Sequence, residues 1–209
     1  MIPVHNCQID EKARCRLVGA TESGKSVLLM SMLDQGKRTL YVRYRTHLEQ
    51  LDWKDWPEHI RARVLPAGVP AVDAETVVDP KQDFTPQEVL EHARRCSPCM
   101  LLQDDTQGRV ATKSERERWV AFRNAVRNEE IGIAETSHCI PSPQERRGLK
   151  HLFCFALESK EDEDYADMKF GFPVYAGLRR MGEKHAFAHW NRERGWHYHH
   201  PIQKPGWLK

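Results

Sequence analysis

The strongest constraint on the fold is a glycine-containing segment near the start of the chain. Residues 19–26 read Gly-Ala-Thr-Glu-Ser-Gly-Lys-Ser, which is a complete G-x-x-x-x-G-K-[ST] phosphate loop. The mostly apolar residues 15–18 precede the loop, and a helix-forming stretch from Lys25 to Gln35 follows it, with Gly36 as a natural helix stop. Strand, loop and helix in this order predict a phosphate-binding unit rather than a chance glycine turn.

The residue types in the loop each have a chemical reason. Gly19 and Gly24 allow unusual backbone dihedrals and a close approach of the backbone to phosphate. The N–H groups of residues 20–26 can surround phosphate oxygens, with the positive end of the helix behind them. The predicted nucleotide-binding residues are Gly19, Ala20, Thr21, Glu22, Ser23, Gly24, Lys25, Ser26 and Val27.

Two side chains of the loop carry specific roles in this prediction. The ammonium group of Lys25 can reach the β- and γ-phosphates of a nucleotide, and the hydroxyl of Ser26 can bind Mg²⁺. We therefore expect ATP and Mg²⁺ as ligands.

Composition places few further limits on function. The length of 209 residues favours one domain over residues 1–209, with a core of about 14–160 and a C-terminal extension of about 161–209. The net charge of +2 neither indicates nor excludes a nucleic-acid partner. There is no apolar run of transmembrane length and no signal peptide at the N-terminus, so we expect a cytoplasmic protein whose six cysteines are reduced.

Strand-like and helix-like segments alternate along the chain, which predicts an α/β fold with a mostly parallel sheet. The histidines His189, His197, His199 and His200 cluster in the last predicted hairpin, where a polar edge face is favoured over a metal site. The predicted strands are 15–18, 39–44, 63–65, 99–103, 131–136 and 152–157; the predicted helices are 25–35, 85–95 and 114–128; the hairpin pairs 184–189 with 196–200.

An apolar strand that ends in two acids forms the second motif. Residues 99–103 are followed by Asp104 and Asp105, the pattern of a Walker B element. Asp104 is predicted to hold Mg²⁺ together with Ser26. Asp105 stands where many hydrolysing NTPases place the acid that polarises the attacking water, although that acid is usually the longer Glu.

A third strand with a polar end follows the helix after the acidic pair. Thr136, Ser137 and His138 end this strand and are candidates to sense the γ-phosphate. The alternative for each is a small polar residue that merely caps the strand. In the additional-strand class of P-loop ATPases, the equivalent strand lies between the Walker A and Walker B strands.

The order of these motifs resembles the FtsK–HerA superfamily of ring-forming DNA pumps. Within it, the chain is similar to small viral genome-packaging ATPases and to the ATPase domain of the zonula occludens toxin and filamentous-phage assembly family. Residues 136–138 stand where those relatives carry Thr-Gln-Arg or a similar triplet, with Ser137 at the sensor position. The resemblance covers about residues 14–200 and implies a three-layer P-loop NTPase of the additional-strand class with a C-terminal β-hairpin.

The resemblance also implies an activity and partners. It implies an Mg-dependent ATPase that acts as a homo-oligomeric ring and translocates DNA to package a viral genome, with a capsid or membrane portal protein as a further partner. In such rings a neighbouring subunit supplies an arginine to the γ-phosphate. The candidates are Arg127, Arg146 and Arg147, and the alternative for each is a solvated surface arginine.

Two other function classes remain open from the residues alone. A nucleotide or small-molecule kinase shares the phosphate loop, and residues 141–150 could imitate its arginine-rich lid. A nucleotide-dependent scaffold or switch without efficient hydrolysis is left open by the short acid at Asp105.

Overall fold

The structure is a computed structural model, and it describes residues 2–4, 7–36, 38–44, 55–67, 86–104, 117, 121–126 and 129–208. The strands are β1 (Ile2–Val4), β2 (Cys7–Ile9), β3 (Arg14–Val18), β4 (Thr39–Tyr44), β5 (Val64–Ala67), β6 (Met100–Gln103), β7 (Gly132–Ser137), β8 (His151–Phe155), β9 (Phe187–Asn191) and β10 (Gly195–His199). The helices are α1 (Lys25–Gln35), α2 (Glu58–Arg61), α3 (Pro86–Cys96), α4 (Pro143–Gly148), α5 (Lys160–Phe170) and α6 (Val174–Met181), and residues 121–126 are also helical.

Eight of the strands form one sheet in the order β10-β9-β8-β3-β7-β6-β4-β5. The pairs from β8 to β5 are parallel, whereas β9 is antiparallel to both β8 and β10. The predicted mostly parallel sheet with a C-terminal hairpin is therefore confirmed. The short antiparallel pair β1–β2 was not predicted.

Strand β7 lies between the strand that leads into the phosphate loop and the strand that ends at Asp104. Val18 at the end of β3 is in register with Ser137, and Gln103 at the end of β6 is in register with Glu135. This arrangement confirms the additional-strand class. Because the carboxyl ends of parallel strands meet at one edge of the sheet, the three sequence motifs converge there.

Successive residues of a strand point to opposite faces of the sheet, so apolar side chains lie on both faces. Helices cover each of these faces. On one face, Leu28 and Leu29 of α1 share a core cluster with Leu17 of β3. On the other face, α3 and residues 121–126 cover β6 and β7, and α5 and α6 cover β8 and β9. The chain thus has the predicted three layers.

Helices α5 and α6 were not predicted from the sequence. Helix α5 buries only Glu163 and Ala166, so its apolar periodicity is too weak to mark it. Its ends are well formed, since Ser159 accepts a hydrogen bond from the N–H of Asp162 and Gly171 ends the helix at φ 65°. The predicted helix 114–128 lies largely outside the described residues. None of the described helices is long and apolar enough to cross a membrane.

Two histidines are buried where β8 and β9 pair. His151 Nδ1 lies 2.9 Å from His189 Nε2, and the His189 ring stacks on Phe153 with 4.4 Å between ring centroids. Burial lowers the pKa of His151 to about 4, with Lys150 adding to the effect. Burial, reinforced by His151, His199 and His197, lowers the pKa of His189 to about 3. Part of the hairpin face that was expected to be polar is therefore buried, and its imidazole rings are neutral.

These histidines predict a loss of stability in mild acid. The unfolded chain takes up protons near pH 6.5 while folded His151 and His189 stay neutral to about pH 4 and 3, so stability is complete above pH 6.5 and falls below it. The slope is about 1.4 kcal/mol per pH unit for each histidine. Urea unfolding at a series of pH values measures it. His189→Phe should reduce the dependence of the free energy of unfolding on pH, whereas His197→Gln, a change at an exposed histidine, should not. A urea midpoint that stays constant from pH 7.5 to pH 5 would contradict the prediction.

Candidate nucleotide site

The phosphate loop is attached to the ends of two neighbouring strands. The N–H of Gly19 donates to the carbonyl oxygen of Ser137 at 3.2 Å, and the N–H of Ala20 donates to the carbonyl oxygen of Ala156 at 2.8 Å. A Cβ at position 19 would lie 2.7 Å from the Cβ of Phe155. Glycine is therefore required at position 19 by close approach, whereas Gly24 is required by its dihedral, φ 107°.

Gly24 is the N-cap of α1, and no side chain caps this helix. The first-turn N–H groups of a helix have no partners within the helix, and the helix dipole adds positive potential at this end. Residues 22–27 line a cavity at the same place. The uncapped helix start is thus arranged to receive an anion such as a phosphate group.

Lys25 is turned back onto the loop that carries it. Its ammonium group donates to the carbonyl oxygens of Gly19 at 2.8 Å and Ala20 at 2.5 Å, and only 6% of the residue is exposed. These carbonyls hold the buried charge above the loop. A phosphate oxygen is a stronger acceptor for an ammonium group than a neutral carbonyl, so a nucleotide can displace them.

Three N–H groups of the loop donate within the protein. Ala20 donates to Ala156, Ser23 donates to the carbonyl oxygen of Ala20 at 3.3 Å, and Thr21 donates to the Glu158 carboxylate at 3.1 Å. These three N–H groups have protein acceptors in this structure, and the expectation that residues 20–26 all present their N–H groups to phosphate stays a prediction. The helix start, from Gly24 onward, is the part of the loop where an anion would meet the helix dipole.

The loop opens into a cavity of about 390 Å³. Beside the loop residues 22–27, its walls come from the end of β8, the turn before β9 and the C-terminal segment. These further lining residues are Phe155, His185, Pro201, Ile202 and Lys204. The sequence patterns gave no signal for them, because they are distant from the motif along the chain.

Asp104 lies at the sheet edge beside Thr136. The Thr136 hydroxyl donates to Asp104 Oδ1 at 2.5 Å, and the aspartate residue is 3% exposed. Carboxylate and hydroxyl oxygens are hard ligands of the kind that Mg²⁺ prefers, so Asp104 and Ser26 fit the predicted metal in their donor chemistry. Asp105 lies outside the described residues.

The three sensor candidates at the end of β7 differ in their surroundings. The Ser137 hydroxyl donates to the carbonyl oxygen of Cys139 at 2.9 Å and accepts from the N–H of the same residue at 3.0 Å. Its backbone carbonyl holds Gly19, while His138 is exposed. Thr136 is the candidate that contacts the acid of the site. A sensing role for Ser137 stays a prediction.

A buried ion cluster lies on the opposite face of β7, and sequence reasoning missed it. Glu135 accepts from Arg123 Nε at 2.7 Å and pairs with Arg16 at 3.2 Å, with side-chain exposures of 4% for Glu135 and 5% for Arg16. Alternating polar residues in apolar strands are the signal that could have indicated it. The cluster ties β7 to β3 and to helical residues 121–126.

The candidate arginines Arg146 and Arg147 line a second cavity, of about 400 Å³, together with Arg192. Arg146 lies over the Phe170 ring, 5.1 Å from its centroid, and donates to the carbonyl oxygen of Lys169 at 3.0 Å. No described carboxylate forms an ion pair with Arg147. Arg127 lies outside the described residues. The possible kinase lid, residues 141–150, contributes to this second cavity rather than to the described wall of the first.

The hydroxyl of Thr136 should be needed to keep Asp104 in place. Thr136→Val removes a hydrogen bond to a buried carboxylate, and we expect a loss of about 1–3 kcal/mol in the free energy of unfolding. Thr136→Ser keeps the hydroxyl and should lose less. Urea denaturation of the two variants tests this; equal stability of the Val and Ser variants would exclude the role.

Comparisons with known proteins rest on the fold. No protein-family model matches the chain, and no curated protein matches it.

Solved structures of two viral proteins are similar to this chain over nearly its whole length. The genome-packaging NTPase B204 of Sulfolobus turreted icosahedral virus 2 in complex with ATP-gammaS has a TM-score of 0.58 at 14% identity, and covers 93% of this chain and 100% of its own. The DNA-packaging ATPase B204 of Sulfolobus turreted icosahedral virus has a TM-score of 0.57 at 12% identity, with the same coverage. At such identities the likeness establishes the fold, and at that level it confirms the resemblance to small viral genome-packaging ATPases.

Proposed function

We propose that this protein is an Mg-dependent ATPase that translocates DNA as a homo-oligomeric ring, most concretely as a viral genome-packaging motor. The observation that carries the ATPase part is the uncapped start of α1 beside Lys25, at the same sheet edge as the Asp104–Thr136 pair. The likeness in fold to one protein named as a DNA-packaging ATPase and to another named as a genome packaging NTPase supports the choice of DNA as the substrate to be moved.

In the proposed reaction, the triphosphate of ATP lies along residues 22–27. Lys25 exchanges the carbonyl oxygens of Gly19 and Ala20 for phosphate oxygens, and so compensates charge that develops on the transferred phosphoryl group. Thr136 orients the Asp104 carboxylate. Mg²⁺, held by Ser26 and Asp104, would supply neutralisation of the phosphate charge. Asp105 polarises the attacking water.

A neighbouring subunit completes the site in this proposal. The chain's own residues line one side of the cavity. A guanidinium group from the next subunit would approach from the opposite side and compensate the charge of the γ-phosphate. Among the described candidates, Arg147 fits better than Arg146, because Arg146 already holds Phe170 and the Lys169 carbonyl. Arg127 remains the candidate outside the described residues.

ATPase activity with and without DNA tests the proposal. We expect turnover that double-stranded DNA accelerates, and Lys25→Ala should lower it by about a hundredfold or more, because a charge-assisted contact to phosphate is lost. The exposed Lys160→Ala is the matched control and should keep full activity. Turnover of Lys25→Ala at the wild-type rate would refute the site.

The same measurement separates the other function classes. A kinase would consume ATP only when an acceptor molecule is added. A switch would bind ATP without turnover even in the assembled oligomer.

The ring part of the proposal predicts complementation between two inactive variants. A Lys25→Ala subunit can still donate its arginine, and an Arg147→Ala subunit still has an intact phosphate loop, so their mixture should regain measurable turnover. Specific activity of the wild type should also rise with protein concentration. The mixing assay is repeated with Arg127→Ala and Arg146→Ala in place of Arg147→Ala to identify the arginine.

Two results would contradict the ring. One is activity that does not depend on concentration in a protein that stays monomeric with ATP and DNA present. The other is a mixture of Lys25→Ala with all three arginine variants that stays inactive.

A further inference from the structure

We infer that the C-terminal segment, residues 201–208, forms the wall of the site that holds the nucleoside part of the nucleotide. This inference rests on one part of the proposed function, namely that a nucleotide binds at the phosphate loop. It assigns a binding role to residues that lie outside every motif of the sequence.

The cavity itself carries the inference. The helix start at residues 24–27 lines one part of it, and Pro201, Ile202 and Lys204 line another part of the same space. A volume of about 390 Å³ is in the range of pockets for small organic ligands. Because the phosphates are fixed at the helix start, the remaining space next to the tail is left for the ribose and base.

The lining of that space fits the flat face of a nucleobase. Ile202 and Pro201 of the tail are apolar, while Phe155 lies beside Gly24 at the helix start. Ligand pockets combine mostly apolar walls with a few polar groups, and here Lys204 is the polar side chain of the tail. Apolar contact with the face of a base depends little on its identity, so the wall fits nucleotides as a class and does not select one base.

The segment is anchored well beyond the cavity. Trp207 Nε1 donates to Asp34 Oδ1 at 2.7 Å, and the Trp207 ring packs edge-on against the buried Trp56 at 4.9 Å between centroids. Leu208 is 7% exposed and belongs to the same core cluster as α1. Ile202 packs against that cluster too. The wall is therefore fixed to the helix whose N-terminus would receive the phosphates.

The anchoring gives the segment a defined position before any ligand arrives. Asp34 lies in the last turn of α1 and Lys25 begins it, so one helix carries both the phosphate end of the site and the support of the opposite wall. A pre-formed wall binds without the cost of ordering a loop, which favours affinity.

Binding of ATP and of tripolyphosphate, measured by calorimetry on the full chain, tests the inference. Tripolyphosphate offers the phosphates without a nucleoside. Ile202→Ala and, separately, the exposed Pro201→Ala should each weaken ATP binding, by about tenfold for Ile202→Ala, and should change tripolyphosphate binding less than twofold. Gln203→Ala, an exposed neighbour that does not line the cavity, is the matched control and should bind both like the wild type.

A third variant tests the anchor. Trp207→Phe keeps an aromatic ring against Trp56 but removes the donor to Asp34, so it should weaken ATP binding and leave tripolyphosphate binding unchanged.

The outcomes are distinguishable from failure of the proposed function. If the wild type binds neither compound, the phosphate loop is not a nucleotide site and the proposed function fails. If the wild type binds ATP and both Ile202→Ala and Pro201→Ala bind it equally well, the inference alone fails. Equal losses for ATP and tripolyphosphate in folded variants would also overturn it, because they would indicate a deformed phosphate loop. Pro201 is exposed, so its variant remains informative if Ile202→Ala does not fold.

Discussion

Two backbone hydrogen bonds fix the phosphate loop, and the rest of the site depends on them. The N–H of Gly19 is held by the carbonyl at the end of β7, and the N–H of Ala20 is held by a carbonyl just beyond β8. Both contacts exist because β3 pairs in parallel with each of these strands, so that all three end at one edge of the sheet. The central position of β3 thus converts a local sequence motif into a loop with a fixed orientation.

Strand β7 links the two layers of helices to this edge. Thr136 points to the acid of the site, while the preceding residue, Glu135, forms ion pairs with Arg16 and Arg123 on the other face. A buried ion cluster is weak as a source of stability, because desolvation of the charges offsets their attraction. Its geometric consequence is firmer: a shift of β7 by one residue would reverse its faces and leave these charges unpaired. The cluster therefore selects the register that sets Thr136 beside Asp104.

The sequence predicted those parts of the site that are encoded by neighbouring residues. The phosphate loop, the acid at Asp104 and the polar end of β7 are each a short pattern with a known chemical reason, and the pairing of strands into an additional-strand sheet followed from the resemblance. Glu158, His185 and Ile202 could not be predicted, because each reaches the loop through tertiary packing over more than a hundred residues. The protein acceptors of the N–H groups of Ala20 and Thr21, Ala156 and Glu158, could not be predicted for the same reason, because both are remote in sequence.

The contacts of Lys25 explain how the loop holds its shape. A buried ammonium group without acceptors would be costly, and the carbonyl oxygens of Gly19 and Ala20 satisfy it. The carbonyl of Gly19 shares a peptide plane with the N–H of Ala20, which the Ala156 carbonyl holds. The carbonyl of Ala20 shares one with the N–H of Thr21, which the Glu158 carboxylate holds. The backbone of the loop therefore supplies a neutral substitute for phosphate oxygens. Because charged acceptors bind an ammonium group more strongly than carbonyls do, the exchange in the proposed function would favour the nucleotide while the backbone of the loop stays where its hydrogen bonds hold it.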